Sequence, residues 1–463
     1  MKIKWNLKRA CGLVFGIFLM AAALPKQVMA ADYWPEAPEV DAQSAIVMEQ
    51  STGTVIYDKN VTEKQYPASI TKIMTVLVAL ENAELNQVVT FSNEAIDNTE
   101  GSGIARDYGE QMTLEQCLYA IMLESANECA YAVAEEVGGS VEGFVDMMNA
   151  KAKELGCVNT HFANPHGLPD ENHYTCAYDM ALITQAAYNN ETFRIITGTA
   201  RYTIPPTNKH DEATYLNNHN ELLVSRKFNY VYPYCVGGKT GYTDDARYTL
   251  VTISEKDGMT LICVVMRTEV PHQWEDSIAL FDYAFDNFQL FNVAENETSY
   301  NAMEKTSTGS LNTNEAFVDI DRNASIVLPK TAEFSDASSS IVYDSSDKDV
   351  AGTIEYRYAD RVVGKADIVR TGVQIQGFVF DNEKMNEETE SVEEQNSVIR
   401  IYPWVIVLAV LGVVALVVIG FVIKYFVDNI YIIRHNREVR KQRKDLFGSG
   451  KRIRKKHKRR RRR

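Results

Sequence analysis

From Ile401 to Ile423 the chain carries no charged residue, and Arg400 and Lys424 bracket the run. About 20 apolar residues cross a bilayer as a helix. This stretch therefore predicts a single transmembrane helix at 401–423 and divides the rest of the chain between two sides of a membrane. Downstream, residues 424–463 hold 18 Lys and Arg against 3 Asp and Glu, a surplus of +15. Basic flanks stay cytoplasmic, so the tail is expected inside and the preceding residues outside. The other end agrees. Residues 1–30 open with Lys2, Lys4, Lys8 and Arg9 and run through an apolar stretch, Gly12 to Leu24. They close on Val28-Met29-Ala30, with small side chains where a signal peptidase reads them. That is the pattern of a secretory signal; the other reading, an uncleaved anchor helix, needs a longer apolar run.

The net charge of −14 conceals this asymmetry. Without the signal and the tail, 25 basic residues face 59 acidic ones, or −34 on the outer side. An acidic exterior disfavours nucleic acid and anionic surfaces as partners. The basic tail serves most simply to fix topology. Anionic lipid head groups or RNA are the other partners it could meet. Six cysteines follow the signal: Cys117, Cys129, Cys157, Cys176, Cys235 and Cys263. An even count on an exported chain invites disulfides, with Cys157 and Cys176 the best pair. Most of the six sit in apolar runs, where a free Cys packs as a small hydrophobe. No Cys-x-x-Cys pair marks a zinc or redox site.

Between the two membrane signals, residues 31–40 with Pro35 and Pro38 read as an extended leader, and 41–292 as one large mixed domain. Ala45–Met48 and Thr54–Tyr57 flank Ser51-Thr52-Gly53 as a hairpin. Ile73, Met74, Leu77 and Leu80 follow Ser69 at helical spacing. Thr113 and Gln116 form a capping box for a helix through Leu123. A second helix follows Asn127, and a third runs from about Ser140 to Leu155. Arg247–Ser254 and Met259–Met266 form a late hairpin about Asp257-Gly258. Residues 274–289 read as a terminal helix with Trp274, Ile278, Phe281 and Phe285 facing inward. Alternating patterns at 314–380 predict a small all-β domain, and the glutamate-rich stretch 381–400 a solvated stalk.

The chemistry concentrates in three short elements. Ser69-Ile70-Thr71-Lys72 sets a hydroxyl and an amine three residues apart at a helix start, hence on one face. A serine hydroxyl needs a neighbouring base to become a nucleophile. Lysine can be that base if burial or another cation lowers its pKa, and the apolar helix from Ile70 to Leu80 offers the burial. The second element, Ser125-Ala126-Asn127, sits at a break between helices. The third, Lys239-Thr240-Gly241, follows Gly237-Gly238 and precedes the late hairpin, so it can form an edge strand. Each recurs by chance, with decoys at Ser345–Lys348 and Ser310–Asn312; the ordered set carries the argument. His161, His166 and His173 fit no helix-borne metal pair, and the chemistry of an acylated serine needs neither metal nor cofactor.

The three elements resemble those of the penicillin-recognising serine transferases, and within them the low-molecular-mass D-alanyl-D-alanine carboxypeptidases. Tyr66-Pro67-Ala68-Ser69-Ile70-Thr71-Lys72-Ile73-Met74-Thr75 is similar to that family's nucleophile segment. Asn164-Pro165-His166-Gly167-Leu168 and His173-Tyr174-Thr175 are similar to the segment after its second motif. The resemblance covers 41–292 and extends to the β domain. It implies an α+β fold: a β-lactamase/transpeptidase-like domain, with an antiparallel sheet covered by helices, then a small all-β domain and the membrane helix. Family members usually end in an amphipathic membrane helix, where this chain has an apolar span.

The resemblance also implies roles. Ser69 would attack the carbonyl of the penultimate D-alanine of a peptidoglycan stem peptide, and Lys72 would take its proton. Ser125 would pass that proton to the leaving D-alanine, while Asn127 would hold Lys72 and the substrate's peptide carbonyl. Lys239 and Thr240 would bind the terminal carboxylate. Gly241 would leave room for the substrate, and the backbone N–H groups of Ser69 and Tyr242 would form the oxyanion hole. β-Lactams would acylate Ser69 as covalent inhibitors. Some relatives carry an arginine before the terminal helix that also meets the carboxylate; here Arg267, His272 and Gln273 stand nearby. Relatives also vary at Tyr242. Two other readings are a class A-like β-lactamase and a β-lactam sensor. The first needs a glutamate base, and the matching window, Thr160-His161-Phe162-Ala163-Asn164, has none. The second needs a signalling domain, and the tail shows none.

Overall fold

The computed structural model describes residues 33–297, 318–342 and 350–370. The expected signal, stalk, membrane helix and basic tail lie outside these residues. Among the described residues, no helix is long and apolar enough to cross a membrane.

The first sheet has five strands: β1 (Ser44–Glu49), β2 (Val55–Lys59), β3 (Cys235–Thr243), β4 (Arg247–Lys256) and β5 (Met259–Thr268). All pair antiparallel, in the order β2-β1-β5-β4-β3. Successive side chains of a strand point to opposite faces, and in this sheet both faces are covered. Ile46, Met48, Val251, Ile253, Ile262 and Val264 pack under the main helical layer. Their neighbours Ala45, Val47, Leu250, Leu261, Cys263 and Val265 pack under the terminal helix. This double burial explains why the central strands read as nearly continuous apolar runs.

The helical layer centres on α1 (Lys72–Asn82), in which every residue from Lys72 to Ala79 is buried. A helix apolar all round belongs inside a structure, and this one takes Lys72 inside with it. A 3₁₀ turn, Ala68–Thr71, precedes it, so Ser69 lies one turn before the α-helix proper. Around α1 stand α2 (Leu114–Leu123), α3 (Asn127–Gly138), α4 (Val141–Glu154) and α5 (Ala177–Tyr188). The capping box of α2 forms from both sides, with Thr113 accepting from the Gln116 N–H and Gln116 from the Thr113 N–H. Ser140 caps α4 through the Gly143 N–H. On the far face lies α6 (His272–Asn287), which buries Trp274, Phe281 and Phe285 and only half-buries Ile278.

A second, six-stranded sheet has its own core of Ile326, Leu328, Ile354, Tyr356, Val363 and Ile368. It begins earlier than the alternating pattern indicated. Residues Phe288–Asn292 leave α6 and pair antiparallel with Ser325–Pro329, so the strand belongs to this sheet rather than to the large domain. Phe288 and Gln289 fall within the helix expected at 274–289, but the helix ends at Asn287 and both residues open the strand. Phe288 packs into the core beneath α6, its ring tilted against Trp34 at 4.8 Å between centroids.

All six described cysteines are free thiols, including the Cys157 and Cys176 pair. The Cys157 thiol points to the Asp179 carbonyl, 3.9 Å away.

Candidate active site

The break between α2 and α3, the 3₁₀ turn before α1 and the edge strand β3 meet at one cleft. Its volume is about 660 Å³, and its walls include Ser69, Ser125, Thr240, Gly241 and Tyr242. Lys72, Asn127 and Lys239 stand behind that wall, each at most 4% exposed. A larger cavity of about 790 Å³ lies between the first hairpin and the second sheet. Its single lysine, Lys365, is tied to Glu355 at 3.3 Å, and it holds no serine–base pair.

Lys72 Nζ is 3.0 Å from Ser69 Oγ and 2.7 Å from Asn127 Oδ1, and it reaches the His166 carbonyl. Burial, then the charge of Lys239, hold the Lys72 amine well below its ordinary pKa. A neutral amine has two N–H donors and one lone pair. Asn127 and the His166 carbonyl can take the two hydrogens, which leaves the lone pair for the Ser69 hydroxyl. The arrangement is therefore that of a base aimed at a nucleophile.

The acceptor from His166 is a backbone atom, and the sequence around it is built to present it. Asn164 Oδ1 accepts from the Gly167 N–H at 2.7 Å, while its Nδ2 donates to the Leu168 carbonyl at 2.9 Å, closing a tight turn. Gly167 has φ +90°, and a Cβ there would lie 2.0 Å from the Ala68 carbonyl oxygen. Only glycine allows the turn to press against the residue preceding the nucleophile. His173 braces the same region. Its Nδ1 accepts from the Ala163 N–H at 3.1 Å, so its Nε2 carries the hydrogen donated to Thr71 Oγ1 at 2.8 Å. Burial lowers the pKa of His166 and of His173 to about 3. His161 Nδ1 meets the Asn172 carbonyl. The three histidines are thus spread over separate structural contacts.

Ser125 has φ +60°, a costly conformation for a residue with a side chain. Its Oγ is buried without a hydrogen-bond partner among the described residues. A hydroxyl held in strain and left unpaired beside a cleft is available to a ligand. Asn127 is fixed by two contacts to a segment that sequence analysis left unassigned: its N–H donates to the Ser102 carbonyl, and its Nδ2 to the Glu100 carbonyl.

Gly241 lets β3 close on the nucleophile. A Cβ there would stand 2.3 Å from Thr249 Oγ1 and 3.0 Å from the Ser69 nitrogen. Thr249 in turn donates to the Pro67 carbonyl at 2.9 Å, tying β4 to the same turn. The Lys239 ammonium donates to the Thr240 carbonyl at 2.8 Å, and burial pushes its pKa down to about 7 against the opposing charge of Glu124. Tyr242 is exposed, packs on Tyr248 and donates to Asp244.

Residues outside the three motifs also shape the cleft. Glu124, just before Ser125, is 2.8 Å from His219 Nε2 and accepts the Asn217 N–H at 2.7 Å. His219, Arg226, Lys227 and Phe228 also line the wall. Of the three residues expected near the missing arginine, only Gln273 reaches the cleft. His272 is held between Asp41 and Glu275. Gln273 is buried, and its amide fits by donating to the Glu269 carbonyl and accepting from Trp274 Nε1.

The model of a family described as D-alanyl-D-alanine carboxypeptidase, peptidase S11, matches residues 31–269. D-alanyl-D-alanine carboxypeptidase DacF of Bacillus subtilis is 38% identical over 254 residues, which are 54% of this chain and 63% of that protein. The chain thus spans less than two thirds of that relative. DacA of Escherichia coli K12 is 30% identical over 358 residues, 72% of this chain and 84% of the relative. Among solved structures, the Streptomyces K15 DD-transpeptidase superposes with a TM-score of 0.51 at 30% identity, covering 54% of this chain and all of that one. A D-alanyl-D-alanine carboxypeptidase from Mycobacterium tuberculosis does so with the same score and identity, covering 54% and 94%. The α+β fold of the penicillin-binding enzymes is therefore the fold of this chain.

Proposed function

From the premise that this chain belongs to the D-alanyl-D-alanine carboxypeptidase family, we infer that it removes the terminal D-alanine from peptidoglycan pentapeptide stems. The contact that carries this reading is Lys72 Nζ at 3.0 Å from Ser69 Oγ, with the remaining hydrogens of the amine accounted for.

In this mechanism Ser69 Oγ gives its proton to neutral Lys72 and bonds to the carbonyl carbon of the penultimate D-alanine. The carbonyl oxygen, now negative, sits between the N–H groups of Ser69 and Tyr242, a pairing supported by the close approach at Gly241. Such a donor typically lowers the barrier by about 3 kcal/mol. The C–N bond breaks as Ser125 relays a proton from Lys72 to the leaving nitrogen. D-alanine departs with that proton, and water then hydrolyses the ester, restoring the serine. Lys239 and Thr240 hold the departing residue's carboxylate, and Asn127 keeps Lys72 aimed. β-Lactams enter the same path as covalent inhibitors that stop at the acyl-enzyme.

We propose the location from the charge pattern around the uncharged run. The uncharged run 401–423 would then cross the cell membrane once, with the catalytic part outside and the basic tail inside. Membrane extraction and protease accessibility of the tail in intact cells test this. A tail cleaved from outside contradicts it.

Ser69→Ala is expected to abolish both D-alanine release from a synthetic pentapeptide and covalent labelling by a fluorescent penicillin. Labelling that persists in this variant refutes the nucleophile.

A further inference from the structure

We propose that Arg226, carried into the cleft on a pinned loop, binds the substrate's terminal carboxylate as a second cation beside Lys239. The proposal rests on the carboxypeptidase reading and adds to it a residue from outside the three motifs.

The loop is held from within. Glu221 is only 4% exposed, and its carboxylate accepts the backbone N–H groups of Arg226, Lys227 and Phe228 at 3.0, 2.7 and 3.3 Å. Burial alone would raise its pKa, but these donors outweigh burial and hold it below the ordinary value. A buried carboxylate satisfied by successive N–H groups fixes the backbone that supplies them. Side chains on that backbone then emerge in set directions, and all three line the cleft.

The two cations on the loop differ in their engagements. Lys227 Nζ lies 4.9 Å from the centre of the Phe228 ring. The Arg226 guanidinium has no hydrogen bond or ion pair among the described residues; only its backbone N–H is engaged. An exposed, unpaired arginine is common on a surface. Here it stands on a fixed loop in the wall that also holds Ser69, Ser125 and Thr240. Its charge also reaches Glu124, the residue preceding Ser125, and Glu124 in turn acts on Lys239. Arg226 thus shares one cleft wall with Ser125 and with Thr240, the neighbour of Lys239.

The chemistry of the cleft leaves room for such a group. Lys239 is buried and donates to its own neighbour's carbonyl, and burial pushes its pKa down to about 7. A guanidinium keeps its charge across the working range, and its planar fork matches a carboxylate with two parallel hydrogen bonds. The connection before α6 and the first turn of that helix present Val270, Gln273 and Trp274 to the cleft and no charge.

The test uses the full-length protein in detergent with the variants Arg226→Gln and Arg226→Lys. Both sit at an exposed position, and unchanged melting temperatures establish that they fold. On a peptide ending in D-Ala-D-Ala, Arg226→Gln is expected to lower kcat/KM roughly 10- to 100-fold, mostly through KM, as loss of a charge-assisted pair implies. Arg226→Lys should recover a large part of this. Acylation of Ser69 by benzylpenicillin and by its methyl ester, followed by mass spectrometry, isolates the carboxylate. The variant should lose rate on the free acid and far less on the ester. Equal loss on acid and ester, or no loss on either substrate, overturns the proposal. A loss that disappears only when a carboxylate upstream in the stem is amidated also overturns it, and assigns Arg226 to the stem instead. If the wild type releases no D-alanine at all, the carboxypeptidase reading fails first, and that result is distinct from each of these.

Discussion

Lys239 sits close enough to Lys72 for its charge to help hold the Lys72 amine neutral, although the two come from a strand and a helix 167 positions apart in sequence. Burial is the larger cause, and both amines are sealed behind the cleft wall. The cation proposed to bind the substrate's carboxylate thus also tunes the proposed base. The two requirements pull apart with pH, since Lys72 works deprotonated and Lys239 works protonated.

Lys239→Gln removes that second charge. The Lys72 amine should then keep its proton to higher pH, because a neighbouring cation no longer disfavours its charged form. The acid limb of the acylation rate is expected to move to higher pH, alongside a rise in KM. Stopped-flow labelling by a fluorescent penicillin from pH 5 to 9 checks this; an acid limb that stays in place contradicts the coupling.

The pKa of about 7 at Lys239 sets a second limb. The ammonium is present below that value and lost above it, so KM for a D-Ala-D-Ala peptide should rise as pH passes through about 7 in the free enzyme. Lys239→Arg keeps the charge and should flatten that rise. Steady-state kinetics as a function of pH measures both, and a KM independent of pH in the wild type argues against Lys239 as the carboxylate's partner.

Asn127→Asp tests the other side of Lys72. A carboxylate 2.7 Å from the amine would favour the ammonium, raise its pKa and leave Ser69 without a base at neutral pH. Activity should drop about 100-fold or more, the usual scale of general-base catalysis, while the folded protein melts near the wild-type temperature. Retained activity at pH 7 would show that Lys72 need not be neutral.

Gly241→Ala asks whether the strand must touch the nucleophile's turn. A Cβ at 2.3 Å from Thr249 Oγ1 and 3.0 Å from the Ser69 nitrogen forces β3 outward. Moving one oxyanion donor is expected to cost about 3 kcal/mol of barrier, or roughly 100-fold in kcat. The same variant should lose little thermal stability, since β3 is the edge of its sheet.

Much of this site was legible in the sequence because its working side chains travel in short motifs. Ser69 and Lys72 declare themselves by helical spacing, and the capping box at Thr113 and Gln116 marks where the helix leading to Ser125 begins. What stayed hidden are contacts made by backbone atoms and by distant loops. The His166 carbonyl and the Glu100 carbonyl hold Lys72 and Asn127, and a carbonyl leaves no trace in residue type. The Glu124–His219 pair joins residues 95 positions apart, and neither belongs to a motif. The strand at Phe288–Asn292 was hidden for a related reason. Its aromatic residues suit the end of a helix and an edge of a sheet equally, and only pairing with Ser325–Pro329 decides between them.

The account stands or falls on which atom becomes acylated. The full-length protein should be incubated with a penicillin, digested, and the modified peptide sequenced by mass spectrometry. One adduct per chain on Ser69 is the predicted result, with the yield falling sharply when Lys72 is replaced by alanine. An adduct on another residue, or full acylation without Lys72, would contradict it.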